Sequence, residues 1–299
     1  MIKKVLTLLL LSLLLIGCRP VTHDNTSTSS YNILTYKSAA SLLLLPVLNE
    51  SYSISASTSY DAFVQAFNED KYDIIIAPIN VGVNECQKGS NYKLLASVEY
   101  GTFKLASTRE KYSTGLVGAI GQNTVCGSLI DFLAPGLKNY EIKWYSTIDD
   151  IKNDILEGNL NGLIVDEINF NYLNDQDGIE LYEIEDLTID YEYEKSYSKY
   201  PVAGLFVSNR IIKEDQTNLV SFAKKLKSAI NTYTNDKTTF NNVLISSDVS
   251  KLGFKDFRLI RESYNYCGLD FIYATSAYDE LEALLDMCGI ELDESVVIK

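Results

Sequence analysis

The chain has 299 residues, with 26 Lys and Arg against 40 Asp and Glu, a formal net charge of -14 and one histidine. The acidic excess excludes a nucleic-acid partner, because phosphate binding needs a basic face, and suits solubility beside an anionic surface. The one histidine, His23, lies in a polar stretch near the N-terminus, so the body of the chain holds no Ser-His-Asp triad, Cys-His pair or HExxH zinc helix.

Residues 1–17 open with Lys3 and Lys4, continue as an apolar run broken only by Thr7 and Ser12, and stop at Leu15-Ile16-Gly17-Cys18. The run is too short for a comfortable membrane span and reads as a secretory signal. An uncleaved anchor is the alternative; under both readings the rest of the chain works outside the cytoplasm. The LIGC ending resembles the bacterial lipobox, in which the cysteine is lipidated and becomes the first residue of the mature protein. A single acyl chain holds only marginally, so the resemblance implies multiple acylation of Cys18. Residues 18–30, polar and rich in Ser, Thr and Asn, read as a flexible tether, and His23 as solvated filler within it. The chain beyond the tether is long enough for two domains with cores. Cys86, Cys126, Cys267 and Cys288 permit two disulfides in three connectivities, or free thiols, and lack zinc-type spacing.

Tyr31 to Tyr36 reads as the first strand, Lys37-Ser38 as a loop, and AASLLLLPVL as a buried helix limited by Pro46. The next stretch, Tyr52 to Asn80, is echoed 88 residues later by Tyr140 to Ile168. Tyr52 and Ile54 fall on Tyr140 and Ile142, in strand-like runs. Ser59 falls on Thr147, each a helix N-cap whose side-chain oxygen can take orphan N–H groups. Tyr60, Phe63, Val64 and Phe67 then form one apolar stripe, as Ile148, Ile151 and Ile155 do in the echo. The runs IIIA at 74–77 and LIV at 163–165 read as strands buried on both faces. One strand-helix-strand unit built twice predicts two similar lobes, each offering loops from the carboxyl ends of its strands, where open α/β sheets bind ligands.

Tyr92 to Thr108 reads as two strands about Tyr100-Gly101, a first crossing between lobes. LVGAI at 116–120 then leads through Gly121-Gln122-Asn123-Thr124 into the helix VCGSLIDFL. A loop feeding a helix N-terminus suits an acceptor-rich ligand, although a plain capped helix has the same sequence. The glycines form neither GxGxxG nor GK[ST], which excludes a nucleotide fingerprint. In the acidic, tyrosine-rich stretch 178–199, Asp190, Glu192 and Glu194 alternate with Tyr191 and Tyr193, which on a strand puts the carboxylates on one face. Solvent rather than calcium is expected there: around NDQDG, Leu173 and Ile184 occupy the first and twelfth EF-hand ligand positions. Tyr200-Pro201 opens VAGLFVSN, a buried strand and the second crossing. The remainder is mainly helical, with Phe222, Leu226, Ala229, Ile230 and Tyr233 as one apolar stripe and Asp279 to Met287 as another helix.

Lipobox, tether, strand-loop-helix, EDKYDIIIAP at 69–78, crossing strands, GLVGAIGQNTVCGSLIDFL and EGNLNGLIVDE at 157–167 come one after another in an order that resembles the solute-binding lipoproteins of ABC importers, in particular the nitrate, sulfonate, taurine and thiamine-precursor binding group. The resemblance covers essentially Tyr31 to Glu282 and is one of pattern and order. It departs where many relatives have Glu-Pro and this chain has Glu167-Ile168. It implies an α/β fold of the type II periplasmic binding protein kind: two similar lobes, each a mainly parallel sheet flanked by helices, joined by a two-strand hinge. Residues 31–101 with 209–299 are expected in one lobe and 102–208 in the other. A monomeric, extracytoplasmic, non-enzymatic receptor is implied, held at the cell membrane through Cys18, without a cofactor, closing on a small molecule for an ABC permease. The alternatives are a ligand-binding sensor without transport and a histidine-free enzyme of the same fold.

The ligand site is expected where strand-end loops converge: Tyr36, Lys37, Ser38, Thr58, Ile79 and Asn80 from the first lobe, Asn123, Thr124, Asp166 and Glu167 from the second. Glu99 and Tyr100 are expected at the cleft floor, with Tyr200 nearby. No arginine lies in these loops, which argues against a bidentate sulfonate or phosphate fork. The acids offer acceptors to an amine or the N–H edge of a heterocycle, and Tyr36 or Tyr100 can stack on a flat ring. A small polar, nitrogen-containing ligand is therefore expected.

Overall fold

The computed structural model describes residues 30–299 apart from Ser198. The signal segment, Cys18 and the tether up to residue 29 lie outside the described residues. Eleven described strands form two sheets. The first contains β1 (Asn32–Tyr36), β2 (Ser53–Ser57), β3 (Ile74–Pro78), β4 (Tyr92–Tyr100), β10 (Pro201–Ser208) and β11 (Leu269–Tyr273) in the order β11-β4-β10-β3-β1-β2. The second contains β5 (Lys104–Ser107), β6 (Gly115–Ile120), β7 (Tyr140–Tyr145), β8 (Gly162–Val165) and β9 (Tyr182–Asp186) in the order β7-β6-β8-β5-β9. The two parts of the 88-residue echo therefore sit in different sheets.

Each sheet is built on the same trio. β1 lies between β2 and β3, parallel to both, and β6 lies likewise between β7 and β8. The strands beyond the trio run antiparallel: β10 pairs with β3 and β4, and β5 pairs with β8 and β9. β5 is the strand by which the chain first enters the second sheet and β10 the one by which it returns to the first. Each lies beside the third strand of a trio, so a parallel core is completed by a strand arriving from the other sheet.

Helices cover both faces, so successive side chains of the inner strands enter different cores. Ile74 and Ile76 of β3 pack with the apolar 39–48 segment and Phe222, whereas Ile75 and Ala77 pack with Phe63 and Phe67. In the second sheet Ile164 joins Val117 and Ala119, while Leu163 and Val165 join Ile151 and Ile155. This two-sided burial is why IIIA and LIV carry no polar alternation. The caps act as the sequence predicts: Ser59 Oγ accepts from Ala62 N at 3.3 Å and Thr147 Oγ1 from Asp150 N at 3.2 Å.

Three local expectations are corrected. Ala39–Val47 is a 3-10 helix with Pro46 inside it, a geometry in which the missing proline N–H breaks no i to i-4 bond. Leu187–Lys195 is a helix instead of a strand. Asp186 caps it by accepting from Thr188 N, and Leu187 and Tyr191, four residues apart, are its buried side, so the alternation of acids was incidental to the helical spacing of the apolar pair. Strand-end loops were expected at 79–80 and 167–168, but Ile79–Gln87 and Glu167–Asn174 are helices that start directly after β3 and, one residue on, after β8. All four cysteines of the described residues are free thiols.

Candidate functional site

A cavity of about 200 Å³ lies between the carboxyl ends of the two parallel trios. β1 delivers Tyr36, Lys37 and Ser38, β2 delivers Thr58, β3 ends at Pro78, and β4 brings Glu99. From the other sheet come Ile120 at the end of β6, Thr124 and Val125 at the start of the next helix, Ser146 to Asp149 after β7, and Val165 with Asp166 after β8. This is the location that open parallel sheets provide, because the loops leaving the strand ends are free to face a partner.

Two carboxylates dominate the chemistry. Glu99 is 2% exposed and accepts from the Ser38 hydroxyl at 2.7 Å and from Ala40 N at 2.9 Å, through the same Oε2. Burial, with the charge of Asp166 adding to it, pushes its pKa from 4.5 to about 8 against those hydrogen bonds. Asp166 is the N-cap of the helix Glu167–Asn174 and accepts from Asn169 N at 2.8 Å and from Asn169 Nδ2 at 3.2 Å. Burial raises it from 3.8 to about 6, with Glu167 contributing. Each sheet thus presents one desolvated acid to the same cavity, an arrangement that gains from any ligand bringing N–H donors or positive charge.

The remaining surface is mixed. Tyr36 faces the cavity while its ring meets Phe63 edge-on at 5.8 Å, and burial raises its phenol well above the ordinary range. Phe103 supplies a second aromatic wall. The helix Val125–Phe132 has Thr124 as N-cap, yet the Thr124 hydroxyl donates back to Gly121 O at 2.7 Å and caps no helical N–H. The first-turn N–H groups at the cavity edge therefore receive no side-chain cap.

Of the residues expected from sequence, Tyr36, Lys37, Ser38, Thr58, Glu99, Thr124 and Asp166 line the cavity, and Ile79, Asn80, Tyr100, Asn123, Glu167 and Tyr200 do not. Ile79, Asn80 and Glu167 belong to first helical turns, which leave only Pro78 and Asp166 at the strand ends. Asn80 instead donates to Asn123 O at 3.2 Å, joining the two sides of the cleft. Glu167 pairs with Lys104 at 2.8 Å. Tyr100 and Tyr200 lie where β4 meets β10, both buried. The Tyr200 ring stacks on Phe103 at 6.5 Å and meets Tyr191 at 4.9 Å, and Lys199 Nζ lies 4.2 Å from the Tyr100 ring centroid. The two tyrosines back the cavity wall instead of facing the cavity.

Sequence reasoning missed Ser146, Thr147 and Asp149 as lining residues, although the signal was present: at the 88-residue offset Thr58 falls on Ser146 and Pro78 on Asp166. Phe103, Asn169 and Val202 carried no comparable signal. On the far flank, Asn171 Nδ2 donates to Ser263 Oγ at 3.0 Å and Lys255 Nζ lies 4.0 Å from Asp149. Among the described residues no group of three or more His, Cys, Asp and Glu could hold a metal ion, and no helix is long and apolar enough to cross a membrane.

No protein-family model and no curated protein matches the sequence. Solved structures do match. An ABC transporter protein from Parabacteroides distasonis aligns over 90% of this chain and 99% of its own, with a TM-score of 0.70 and 16% identity. The ligand-binding component of an ABC-type import system from Staphylococcus aureus, solved with zinc bound, aligns over 91% and 96% with a TM-score of 0.66 and 13% identity. The periplasmic aliphatic sulphonate binding protein of Escherichia coli aligns over 90% and 92% with a TM-score of 0.64 and 10% identity. The chain has the fold of the ABC-importer solute-binding proteins. At these identities the likeness speaks for architecture, and the side chains of the cleft have to be read for themselves. The cavity here is lined by three acids, Glu99, Asp149 and Asp166, and by no arginine; Asp149 is paired with Lys152, which leaves Glu99 and Asp166 without an ion-pair partner among the described residues.

Proposed function

We propose that the protein is an extracytoplasmic solute receptor that closes on a small polar, nitrogen-containing molecule and delivers it to an ABC permease. In this reading residues 31–101 and 209–299 form one lobe, residues 102–208 form the other, and β4-β5 and the segment entering β10 are the hinge. The protein acts as a monomer without catalysis, held at the membrane by acyl chains on Cys18. The observation that carries the ligand class is the convergence of Glu99 and Asp166, one from each sheet, on one cavity with raised pKa values. Burial raises both groups, the charge of Asp166 raises Glu99 further, and a cationic or N–H-rich ligand offsets that cost while bridging the two lobes. Such a ligand favours the closed form because only there does it touch both acids. A sulfonate or nitrate would meet the acids with a single lysine, Lys37, to offset them. Tyr36, Lys37, Ser38, Thr58 and Thr124 complete the contact surface, while Ile79, Asn80, Asn123, Glu167, Tyr100 and Tyr200 shape it from behind.

Calorimetric titration with polyamines, amino acids, pyrimidines and alkanesulfonates tests the ligand class. Amines or N–H-bearing heterocycles should bind, and Glu99→Gln and Asp166→Asn should each weaken them at least tenfold. Tight binding of a sulfonate that survives both substitutions would refute the reading. The anchor is tested separately by Cys18→Ser, which should abolish labelled fatty-acid incorporation; unchanged labelling would rule this cysteine out.

A further inference from the structure

The cavity continues past Lys37, Ser38, Ile148, Asp149 and Asn169 into a second chamber of about 380 Å³, whose outer walls are the 253–259 segment and the helix end around Tyr172. Their sizes assign them different uses. Small-molecule sites usually occupy roughly 300 to 1,000 Å³, so the inner cavity of about 200 Å³ takes a head group and the outer chamber has room for the rest of a ligand.

Charge separates them as well. Glu99 and Asp166 belong to the inner cavity alone, Lys37 and Asp149 line both spaces, and the outer chamber adds Asp175 and Asp256, so three acids face one lysine in the inner cavity and three lysines in the outer one. The other two lysines of the outer chamber are engaged: Lys152 is held by Asp149 at 2.9 Å and by the Tyr172 hydroxyl at 3.2 Å, and Lys255 stands 4.0 Å from Asp149. Lys37 is exposed and, among the described residues, makes neither an ion pair nor a side-chain hydrogen bond. Its stem is nevertheless positioned. The methylenes lie across Gly253, where an added Cβ would stand 2.7 Å from both Cγ and Cδ of Lys37, and Gly253 has a φ of +89° that favours glycine. The stem thus packs against the glycine that caps Val249–Leu252, and the ammonium it carries has no ion-pair partner among the described residues.

We infer that the ligand is an elongated zwitterion, with its cationic nitrogen between Glu99 and Asp166 and its anionic end held by Lys37 towards the outer chamber. The inference rests on the receptor reading and narrows its substrate class. An amine with a neutral tail leaves Lys37 unmatched, and an anion without nitrogen meets the two acids. A molecule with its charges several bonds apart satisfies both ends, and the lysine ammonium, a compact point charge, accepts either a carboxylate or another anionic group.

The test is titration of the full chain with ω-amino acids from glycine to 6-aminohexanoate, the alkylamines of matching length, and the matching fatty acids. One of the longer ω-amino acids should bind at least tenfold tighter than its amine, and the fatty acids should not compete. Lys37→Met should bring the ratio of amino acid to amine close to one, chiefly by weakening the amino acid, and Lys37→Arg should keep the ratio. Equal binding of amine and amino acid by the unaltered protein, or a ratio indifferent to Lys37→Met, overturns the inference and leaves an amine receptor. Failure of every nitrogen compound in the series overturns the inference too, and if alkanesulfonates bind instead it takes the receptor's ligand class with it.

Discussion

Replacing Glu99 with glutamine should make the protein more stable, and only at high pH. Glu99 has a folded-state pKa of about 8 against an ordinary value of 4.5, chiefly because burial penalises the charged form. Between those values the folded chain keeps a proton that the unfolded chain has released, so stability falls as pH rises. The loss begins near pH 4.5, is complete by about pH 8, and at about 1.4 kcal/mol per pKa unit amounts to roughly 4 to 5 kcal/mol. Glutamine removes the titration and keeps an oxygen to accept from the Ser38 hydroxyl and Ala40 N. Thermal melts of both proteins without ligand should therefore coincide near pH 5 and diverge towards pH 8.5. The variant should then melt roughly 8 to 20 °C higher, at about 2 to 4 °C per kcal/mol. A difference in melting temperature that stays constant from pH 5 to 8.5 would mean that Glu99 is not desolvated as described.

The same proton should be visible in binding: an amine needs the ionised pair, so its affinity should rise from pH 6 to about 8 and then level off. Calorimetry in buffers of different ionisation enthalpy should detect proton release near pH 7, and uptake would contradict the assignment. Gly101→Ala should be destabilising by about 1 to 3 kcal/mol or more in denaturant melts, because a Cβ would lie 2.0 Å from the Tyr200 ring, which Phe103 and Tyr191 hold in place. Ser59→Ala and Thr147→Ala should each cost about 1 kcal/mol by chemical denaturation, the usual loss for an N-cap, and similar losses are expected because the two caps have equivalent roles.

Much of the architecture was legible because it is written twice. The 88-residue echo located β2, the capped helix and β3, and again β7, the capped helix and β8, and apolar runs without alternation marked the inner strands of both sheets. The cleft was legible to the extent that a strand end could be placed: Lys37, Ser38, Thr58, Thr124 and Asp166 come from it. Its limits were set where local sequence does not determine the conformation of the chain as it leaves a strand. Nothing in Ala77-Pro78-Ile79-Asn80 distinguishes a loop from a helix that begins at once, and that choice removes Ile79 and Asn80 from the cavity. Leu187–Lys195 shows the converse error, since an i, i+4 apolar pair outweighed a visible alternation of acids.

What the echo does not carry is asymmetry, and the proposed ligand chemistry depends on it. Pro78 and Asp166 occupy equivalent strand ends, and both reach the cavity. One lobe thus has an acid where the other has a residue without an N–H or a charge, and its own acid, Glu99, comes from β4, a strand that lies outside the repeated trio and immediately precedes the first crossing. Lys37 and the 253–259 segment are likewise outside the copied stretch. Two similar halves provide a frame with facing strand ends; in the proposed receptor, the residues added to that frame decide what the halves can close upon. A ligand bound mainly by equivalent positions would have been readable from either copy. Binding between Glu99, Asp166 and Lys37 requires the crossing strand, the second lobe and the first strand-end loop at once, so selectivity should respond to single substitutions at these three positions more than to changes at Thr58 or Ser146, the pair that the echo does match.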